Sequence, residues 1–344
     1  MAKHDEIQVN RIKEITCTAC KLVIDITPYK PLAKEHCPEC SASFQVPGQI
    51  GQYVLFKRIA AGAMGSVYTA YDEVLARQVA LKIVSAPPSK DDDLYQGALR
   101  EARVQASINH PNVAQVYAMS EDMGQPYIIM ELIDGGSVLD LIRASEAGGV
   151  GEVRALQIAI DTAGGLFAAQ KLGLMHRDIK PGNLLLDRDG RAKLIDFGLA
   201  ERTSKQVEGK VLGSPYYMPP EIAKGKTSDH RADIYSLGAS LYHMLVGQPP
   251  FKFKGDTPRD CVLRRFKMDP PDPCDANPAV HQETGQLVTH MMAIEPEQRP
   301  ADYPSLIRTM RQTAALIQRD QATPAAQPEE DPLAALSDAV RKRR

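Results

Sequence analysis

Hydrophobic and polar residues alternate between residues 53 and 84 with the two-residue period of half-buried β-strands. The alternation runs through three stretches, "YVLFKRIA" (53–60), "SVYTAYD" (66–72) and "RQVALKIV" (77–84). These stretches predict short strands separated by turns. The first turn contains Gly62 and Gly65, which is typical of a loop whose backbone passes close to a phosphate group.

The pattern changes to that of a helix between residues 91 and 109, where "DDD" suits the positive end of a helix dipole. Residues 110–132 then predict two apolar strands around a "DMGQ" turn. Beyond "DGG" (134–136) the pattern is mainly helical. The sequence therefore predicts an α+β fold in which a β-rich lobe precedes an α-rich lobe.

The balance of charge argues against partners that need a strong electrostatic field. Charged residues make up 24% of the 344 positions, and the formal net charge is −2, so neither nucleic acid nor a membrane surface is expected as a partner. No apolar run has the length needed to cross a bilayer, and "MAKHDEIQVN" lacks a signal-peptide core. We therefore expect a cytoplasmic protein with reduced thiols.

Four of the six cysteines form two C-x2-C pairs, Cys17 with Cys20 and Cys37 with Cys40, separated by sixteen residues. This spacing is typical of a structural zinc site, because each short pair turns back so that two thiolates meet one ion. A redox dithiol is the alternative. We predict a Zn²⁺ ribbon over residues 1–48, in which the metal supplies much of the folding free energy.

The predicted ribbon has no basic stripe. Residues 1–50 contain six Lys or Arg and six Asp or Glu, whereas phosphate binding needs clustered cations. A structural or protein-binding role is therefore the better hypothesis. The following segment, "FQVPGQIGQY" (44–53), contains Pro and Gly and is interpreted as a hinge.

Short polar motifs follow the glycine-containing turn in a distinctive order. They are "VALK" (79–82), Glu101 in the predicted helix, "HRDIKPGN" (176–183), "LIDFG" (194–198) and "PPE" (219–221). In this order and spacing, the chain resembles eukaryotic-type serine/threonine protein kinases, particularly the bacterial branch, over about residues 51–311. The resemblance implies a bilobal protein-kinase fold after the zinc ribbon. Its expected boundaries are a kinase domain at 49–313, with an N-lobe at 53–133, a C-lobe at 134–313 and a flexible tail at 314–344.

The resemblance also implies the roles of the polar residues, since phosphoryl transfer depends on positioning and charge neutralisation. Lys82 would hold the α- and β-phosphates of ATP, and Glu101 would hold Lys82. Asp178 would accept the proton of the substrate hydroxyl. Lys180 would steady the transferring phosphate and is typical of the serine/threonine type. Asn183 and Asp196 would hold Mg²⁺ ions.

A pocket for the adenine ring is implied by the same register. The backbones of Glu131 and Ile133 would supply the hydrogen bonds to the base, with Met130 at the back of the pocket. The implied ATP-binding residues are Ile59, Ala60, Gly62, Gly65, Val67, Ala80, Lys82, Glu131, Ile133 and Leu185.

Two positions depart from the family pattern. Ala60 stands where the glycine-rich loop usually has its first glycine, and since alanine is the smallest replacement we expect a modest effect on nucleotide affinity. Gln105, four residues after Glu101, stands where the family helix usually has an apolar residue. We expect this polar group to loosen the active arrangement.

The resemblance extends to the activation segment. Thr203 and Ser204 are candidate phosphosites, and a phosphate there would pair with Arg177 and order the loop. Ser214 keeps the hydroxyl that contacts Asp178 and Lys180 in related kinases. Three further residues have implied structural roles, namely Glu221 with its buried partner Arg299, and Asp233, which braces the catalytic loop.

The leading functional hypothesis is a serine/threonine protein kinase that phosphorylates proteins and its own activation segment. Association of two copies for that phosphorylation stays open. One alternative is a pseudokinase scaffold that binds partners through the kinase fold and the ribbon. A second alternative makes the ribbon a targeting module that carries the kinase.

Overall fold

The computed structural model of the protein describes residues 12–62, 65–84, 93–145, 148–197, 201–202, 214–252 and 255–322. Its strands are β1 (Glu14–Thr16), β2 (Val23–Asp25), β3 (Lys34–His36), β4 (Ser43–Gln45), β5 (Gly48–Ile50), β6 (Tyr53–Gly62), β7 (Gly65–Asp72), β8 (Arg77–Val84), β9 (Val116–Asp122), β10 (Gln125–Met130), β11 (Leu174–Met175), β12 (Leu184–Leu186), β13 (Ala192–Leu194) and β14 (Glu201–Arg202). Its helices are α1 (Asp93–Ala106), α2 (Val138–Ala144), α3 (Glu152–Lys171), α4 (Pro220–Ala223), α5 (Arg231–Val246), α6 (Pro258–Arg264), α7 (Pro273–Ala276), α8 (Gln282–Met291) and α9 (Tyr303–Ala322). In the part of the chain so described, no helix is both long and apolar enough to cross a bilayer.

The predicted succession of a β-rich and an α-rich lobe is confirmed. Six strands form one antiparallel sheet in the order β5-β6-β7-β8-β10-β9. The three strands expected between residues 53 and 84 are its central members β6, β7 and β8. Helix α1 packs on this sheet through an apolar cluster that contains Ala98, Ala102, Val116 and Ile128. The sheet and α1 thus carry the motifs of the first lobe.

The second lobe is built around α5, which is buried on all sides. Every residue from Ala232 to Leu245 is buried, as expected for a helix in the centre of an apolar core. Helices α3 and α8 pack against α5, and α9 packs against α3. Helix α9 continues to Ala322, with Ile317 buried. It therefore includes nine residues that the sequence analysis assigned to the flexible tail from 314 onwards, because their apolar side packs on the core.

The N-terminal unit consists of two small hairpins, β1–β2 and β3–β4. Five buried side chains form its core, namely Cys17, Ile24, Ile26, Cys37 and Val46. A core this small stabilises little by itself, since domains under about 40 residues usually need metals or disulfides.

The segment interpreted as a hinge is instead a short, constrained junction. Val46 is buried in the ribbon core, and Gly48 is already the first residue of β5 in the large sheet. Only Pro47 separates them, and proline fixes its own φ. In addition, Leu32 of the ribbon packs on the apolar cluster of the sheet. The ribbon is therefore attached to the first lobe by both backbone and side-chain contacts.

Candidate active site

The first polar cluster joins the sheet to α1. Lys82 on β8 donates a hydrogen bond from Nζ to Oε1 of Glu101 on α1 at 2.7 Å. The same ammonium lies 3.9 Å from Oδ1 of Asp196, whose side chain is 54% exposed. Burial raises the pKa of the Glu101 carboxyl, and the nearby Lys82 charge opposes that shift. The Lys82 ammonium therefore lies between the buried carboxylate of Glu101 and the exposed carboxylate of Asp196, where the two lobes meet.

The second cluster surrounds the carboxylate of Asp178. Lys180 Nζ donates to Asp178 Oδ2 at 2.6 Å and to Ser214 Oγ at 2.9 Å. The amide nitrogen of Asn183 donates to Asp178 Oδ2 at 3.2 Å and to its backbone oxygen at 2.9 Å. The backbone N–H of Ser214 donates to Asp178 Oδ1 at 2.9 Å. Asp178 is thus held by donors from three residues, two in its own loop and one at position 214, which fixes its orientation.

Buried groups brace this loop from behind. Asp233 on α5 accepts hydrogen bonds from the backbone N–H groups of His176 (2.7 Å) and Arg177 (2.8 Å). Burial raises the pKa of the Asp233 carboxyl, and these backbone N–H donors oppose that shift. His176 Nδ1 accepts from the Asp178 N–H at 3.3 Å, so its Nε2 is the donor to Ile195 O at 3.0 Å. The loop that carries Asp178 is therefore connected to the residue before Asp196.

Backbone conformation at the site is unusual at two non-glycine positions. Arg177 has a φ of 66° and Asp196 a φ of 71°, in the left-handed region that non-glycine residues rarely adopt. Such conformations are typical of functional sites that the surrounding structure holds in place. Here the hydrogen bonds to Asp233 provide that restraint for Arg177.

Only one of the two glycines in the β6–β7 turn requires the absence of a side chain. A Cβ on Gly65 would lie 1.9 Å from the carbonyl oxygen of Ile83, and its φ is +139°. A Cβ on Gly62 would have nothing within 4 Å. Ala60, which pairs with Val67 across the two strands, is exposed. Its methyl group therefore leaves the strand pairing intact.

The residues expected around the adenine ring come from both lobes and differ in burial. Ala80 and Ile133 are buried, whereas Ile59 is 46% exposed. The N–H of Glu131 donates to Gln115 O at 2.8 Å, so this amide is already used inside the protein. Of the two backbone groups of Glu131, the carbonyl is therefore the candidate to accept a hydrogen bond from the adenine. Val67 and Leu185 are half-buried, in β7 and β12 respectively.

Some expected sites lie outside the described residues, and others are found as expected. Thr203 and Ser204 belong to the part of the chain that is not described. The buried ion pair between Arg299 and Glu221 is confirmed, with Nη1–Oε1 at 2.6 Å and Nη2–Oε2 at 2.8 Å.

Arg265 is a buried residue that the sequence analysis missed. It is 1% exposed, and its Nη1 donates to Met218 O at 2.7 Å. It also donates to the carbonyl groups of Pro215 and Tyr216, which follow Ser214 in the chain. Burial lowers the pKa of this guanidinium. No motif distinguishes it from its neighbour Arg264, because only packing decides which of two adjacent arginines is buried.

The cluster of four cysteines is a second site, separate from these groups. The sulfur atoms of Cys17 and Cys40 are 3.7 Å apart, those of Cys20 and Cys37 are 3.6 Å apart, and all four lie within 4.8 Å of one another. A tetrahedral zinc site with bonds of about 2.3 Å requires sulfur separations near these values. Backbone N–H groups of Cys20 and Ala19 lower the pKa of Cys17 to about 6. The cluster is thus compatible with a zinc ribbon.

The two cysteine turns have the same backbone geometry. Lys21 N donates to Cys17 O, and Ser41 N donates to Cys37 O. Lys21 and Ser41 have φ values of 66° and 59°, which is the left-handed region that glycine adopts most easily. Lys21 and Ser41 therefore both adopt this conformation, although neither is a glycine.

Comparison with known proteins relates most of the chain to one family. The family model described as "Protein kinase domain" matches residues 53–312. The chain is 34% identical over 259 residues to probable serine/threonine-protein kinase SCO3848 of Streptomyces coelicolor, covering 72% of this chain and 38% of the relative. It is 34% identical over 257 residues to serine/threonine-protein kinase PknB of Mycolicibacterium smegmatis, covering 72% and 40%.

A third relative is DNA damage-responsive serine/threonine-protein kinase RqkA of Deinococcus radiodurans. The identity is 36% over 263 residues, covering 74% of this chain and 38% of that protein. In all three comparisons, the match spans about two fifths of the length of the curated relative.

Proposed function

This chain belongs to the protein kinase family, and on that basis we propose that it transfers the γ-phosphate of ATP to serine or threonine hydroxyl groups of proteins. The observation that carries the proposal is the cluster of Lys82, Glu101 and Asp196. In this cluster, the Lys82 ammonium lies 2.7 Å from the buried carboxylate of Glu101 and 3.9 Å from the exposed carboxylate of Asp196. This arrangement suits a polyphosphate bound through a cation and a divalent metal.

Asp178 is the proposed base. Its carboxylate accepts the proton of the substrate hydroxyl as the hydroxyl oxygen forms a bond to the γ-phosphorus and the bond from that phosphorus to the β–γ bridging oxygen breaks. Lys180, 2.6 Å from Asp178, neutralises charge that develops on the transferring group. Ser214 holds both residues, since its Oγ accepts from Lys180 and its N–H donates to Asp178.

The residues fit Mg²⁺, which prefers oxygen ligands. Asp196 offers an exposed carboxylate. The amide nitrogen of Asn183 is used in hydrogen bonds to Asp178, which leaves its side-chain oxygen as the metal ligand. Bound Mg²⁺ would neutralise phosphate charge. The chain itself positions both ligands, because Ile195 N donates to Asn183 O at 3.1 Å.

Autophosphorylation of the activation segment is part of the proposal. Incubation of dephosphorylated protein with Mg-ATP is expected to add phosphate at Thr203 or Ser204, measured by intact mass and peptide mapping. Transfer between copies would also phosphorylate an inactive chain, so wild-type protein is incubated with a mass-tagged Asp178→Asn variant. A wild-type protein that gains no phosphate and phosphorylates no added protein would favour the pseudokinase alternative.

We also propose that the cluster of four cysteines holds one Zn²⁺ and that this ion stabilises the ribbon. The support is the convergence of the four sulfurs within 4.8 Å of one another and the small size of the ribbon core. The ribbon's proposed role is structural or protein-binding. It is attached to the first lobe through Leu32 and the Val46–Gly48 junction.

Replacing Cys37 with alanine is expected to abolish stoichiometric zinc, because a buried ligand is lost. Native mass spectrometry and metal analysis measure the ion, and hydrogen exchange of residues 12–47 measures the order of the ribbon. Cys274→Ala is the matched control and should retain zinc, since Cys274 lies outside the cluster. Wild-type protein that contains disulfides in place of zinc would favour the redox alternative.

A further inference from the structure

Gln105 lies in the last turn of α1, one helical turn after Glu101. Only 4% of its surface is exposed. From the sequence alone, this polar group is expected to loosen the active arrangement. The structure instead gives it a partner, since its Nε2 donates a hydrogen bond to the carbonyl oxygen of Ala114 at 2.8 Å.

Ala114 is itself part of a segment that runs beside β13. Its N–H donates to Leu194 O at 2.9 Å, and Leu194 N donates to Asn112 O at 2.8 Å. Leu194 ends β13, and Asp196 follows two residues later. A single residue, Ala114, therefore connects the helix that carries Glu101 with the strand that leads to Asp196.

We infer that Gln105 is a positioning residue, which fixes α1 relative to the strand before Asp196 and so keeps Glu101 in contact with Lys82. This inference rests on the proposed kinase activity. It reverses the expectation from sequence, because an apolar side chain at this position should lower activity rather than restore it.

The physical reason is the burial of the acceptor. Ala114 is 1% exposed, and a buried carbonyl that loses its donor costs more than the hydrogen bond contributed. The structure would relieve this cost by moving α1 or the segment around Ala114. Either movement shifts Glu101 relative to Lys82 or Asp196, and small displacements at a reacting centre lower rates strongly.

Gln105→Met tests the inference, since methionine has a similar length and no donor. We expect kcat to fall roughly tenfold while KM for the protein acceptor stays within about twofold. Casein serves as the acceptor. Hydrogen exchange should increase both in α1 and in residues 192–196, because the two are coupled through Ala114. A purely structural role would lower the melting temperature without changing kcat in the folded protein.

The matched control is Gln312→Met, which makes the same chemical change at an exposed position on α9. It should leave kcat and the exchange of both segments unchanged. An equal or higher kcat in Gln105→Met would overturn the inference, as would increased exchange confined to α1.

Gln105→Asn provides a second variant that keeps the side chain polar but shortens it, and the same losses are expected. The exchange measurement does not depend on catalysis. If the wild-type protein transferred no phosphate, the proposed function would fail, while the coupled exchange of α1 and residues 192–196 would still decide the role of Gln105.

Discussion

Asp178→Asn is expected to lower kcat for phosphoryl transfer by about 10²–10⁴-fold, the usual contribution of a positioned general base. The carboxylate accepts hydrogen bonds from Lys180, Asn183 and the Ser214 N–H. An asparagine places an NH₂ group among these donors and offers no base to the substrate hydroxyl. The rate is measured with casein as acceptor, and binding of Mg-ADP is measured by calorimetry.

Nucleotide affinity should change little, because Lys82, Glu101 and Asp196 are untouched. Asp189→Asn is the matched control, since it makes the same change on the exposed turn after β12 and should keep wild-type kcat. Activity of Asp178→Asn within tenfold of wild type would refute the assignment of Asp178 as the base.

Arg299→Met is expected to cause the largest loss of stability, about 3–5 kcal/mol, because it leaves Glu221 as a buried carboxylate without its cation. Arg299 also donates to the carbonyl groups of Ala293, Ile294 and Arg231, which lose their donor in the variant. For a domain of this size, the melting temperature should fall by roughly 10 °C. Thermal unfolding followed by circular dichroism measures the change.

Two further variants test the cause of this loss. Adding Glu221→Leu to Arg299→Met should recover part of the stability, because the unpaired charge is removed. Arg188→Met breaks an ion pair of similar length with Asp134 on the surface and should leave the melting temperature unchanged. Equal destabilisation by Arg188→Met and Arg299→Met would show that burial of the pair is not the cause.

The sequence predicted the fold because its signals are local. The two-residue period over 53–84 predicted the strands β6, β7 and β8, and the helical period after residue 91 predicted α1. The C-terminal end of this helix was less accurate, since α1 ends at Ala106 rather than at residue 109. The continuation of α9 beyond residue 313 accompanies the burial of Ile317, which depends on tertiary packing.

The candidate site was predictable to the extent that motifs carry it. The ordered motifs identified Lys82, Glu101, Asp178, Asn183 and Asp196, and the structure brings them together in two clusters. Their roles in catalysis remain predictions that the variants above test. The two C-x2-C pairs similarly predicted which cysteines converge.

The sequence by itself thus determined the family, the order of the two lobes and the residues of the motifs. Only the tertiary structure decided the environment of individual polar side chains. It gave Gln105 a buried partner in Ala114, selected Arg265 rather than Arg264 for burial, and turned an expected hinge into the constrained Val46–Gly48 junction. The reason is physical. Periodicity follows from the geometry of one backbone segment, whereas burial and hydrogen-bond partners depend on segments that are distant in the chain.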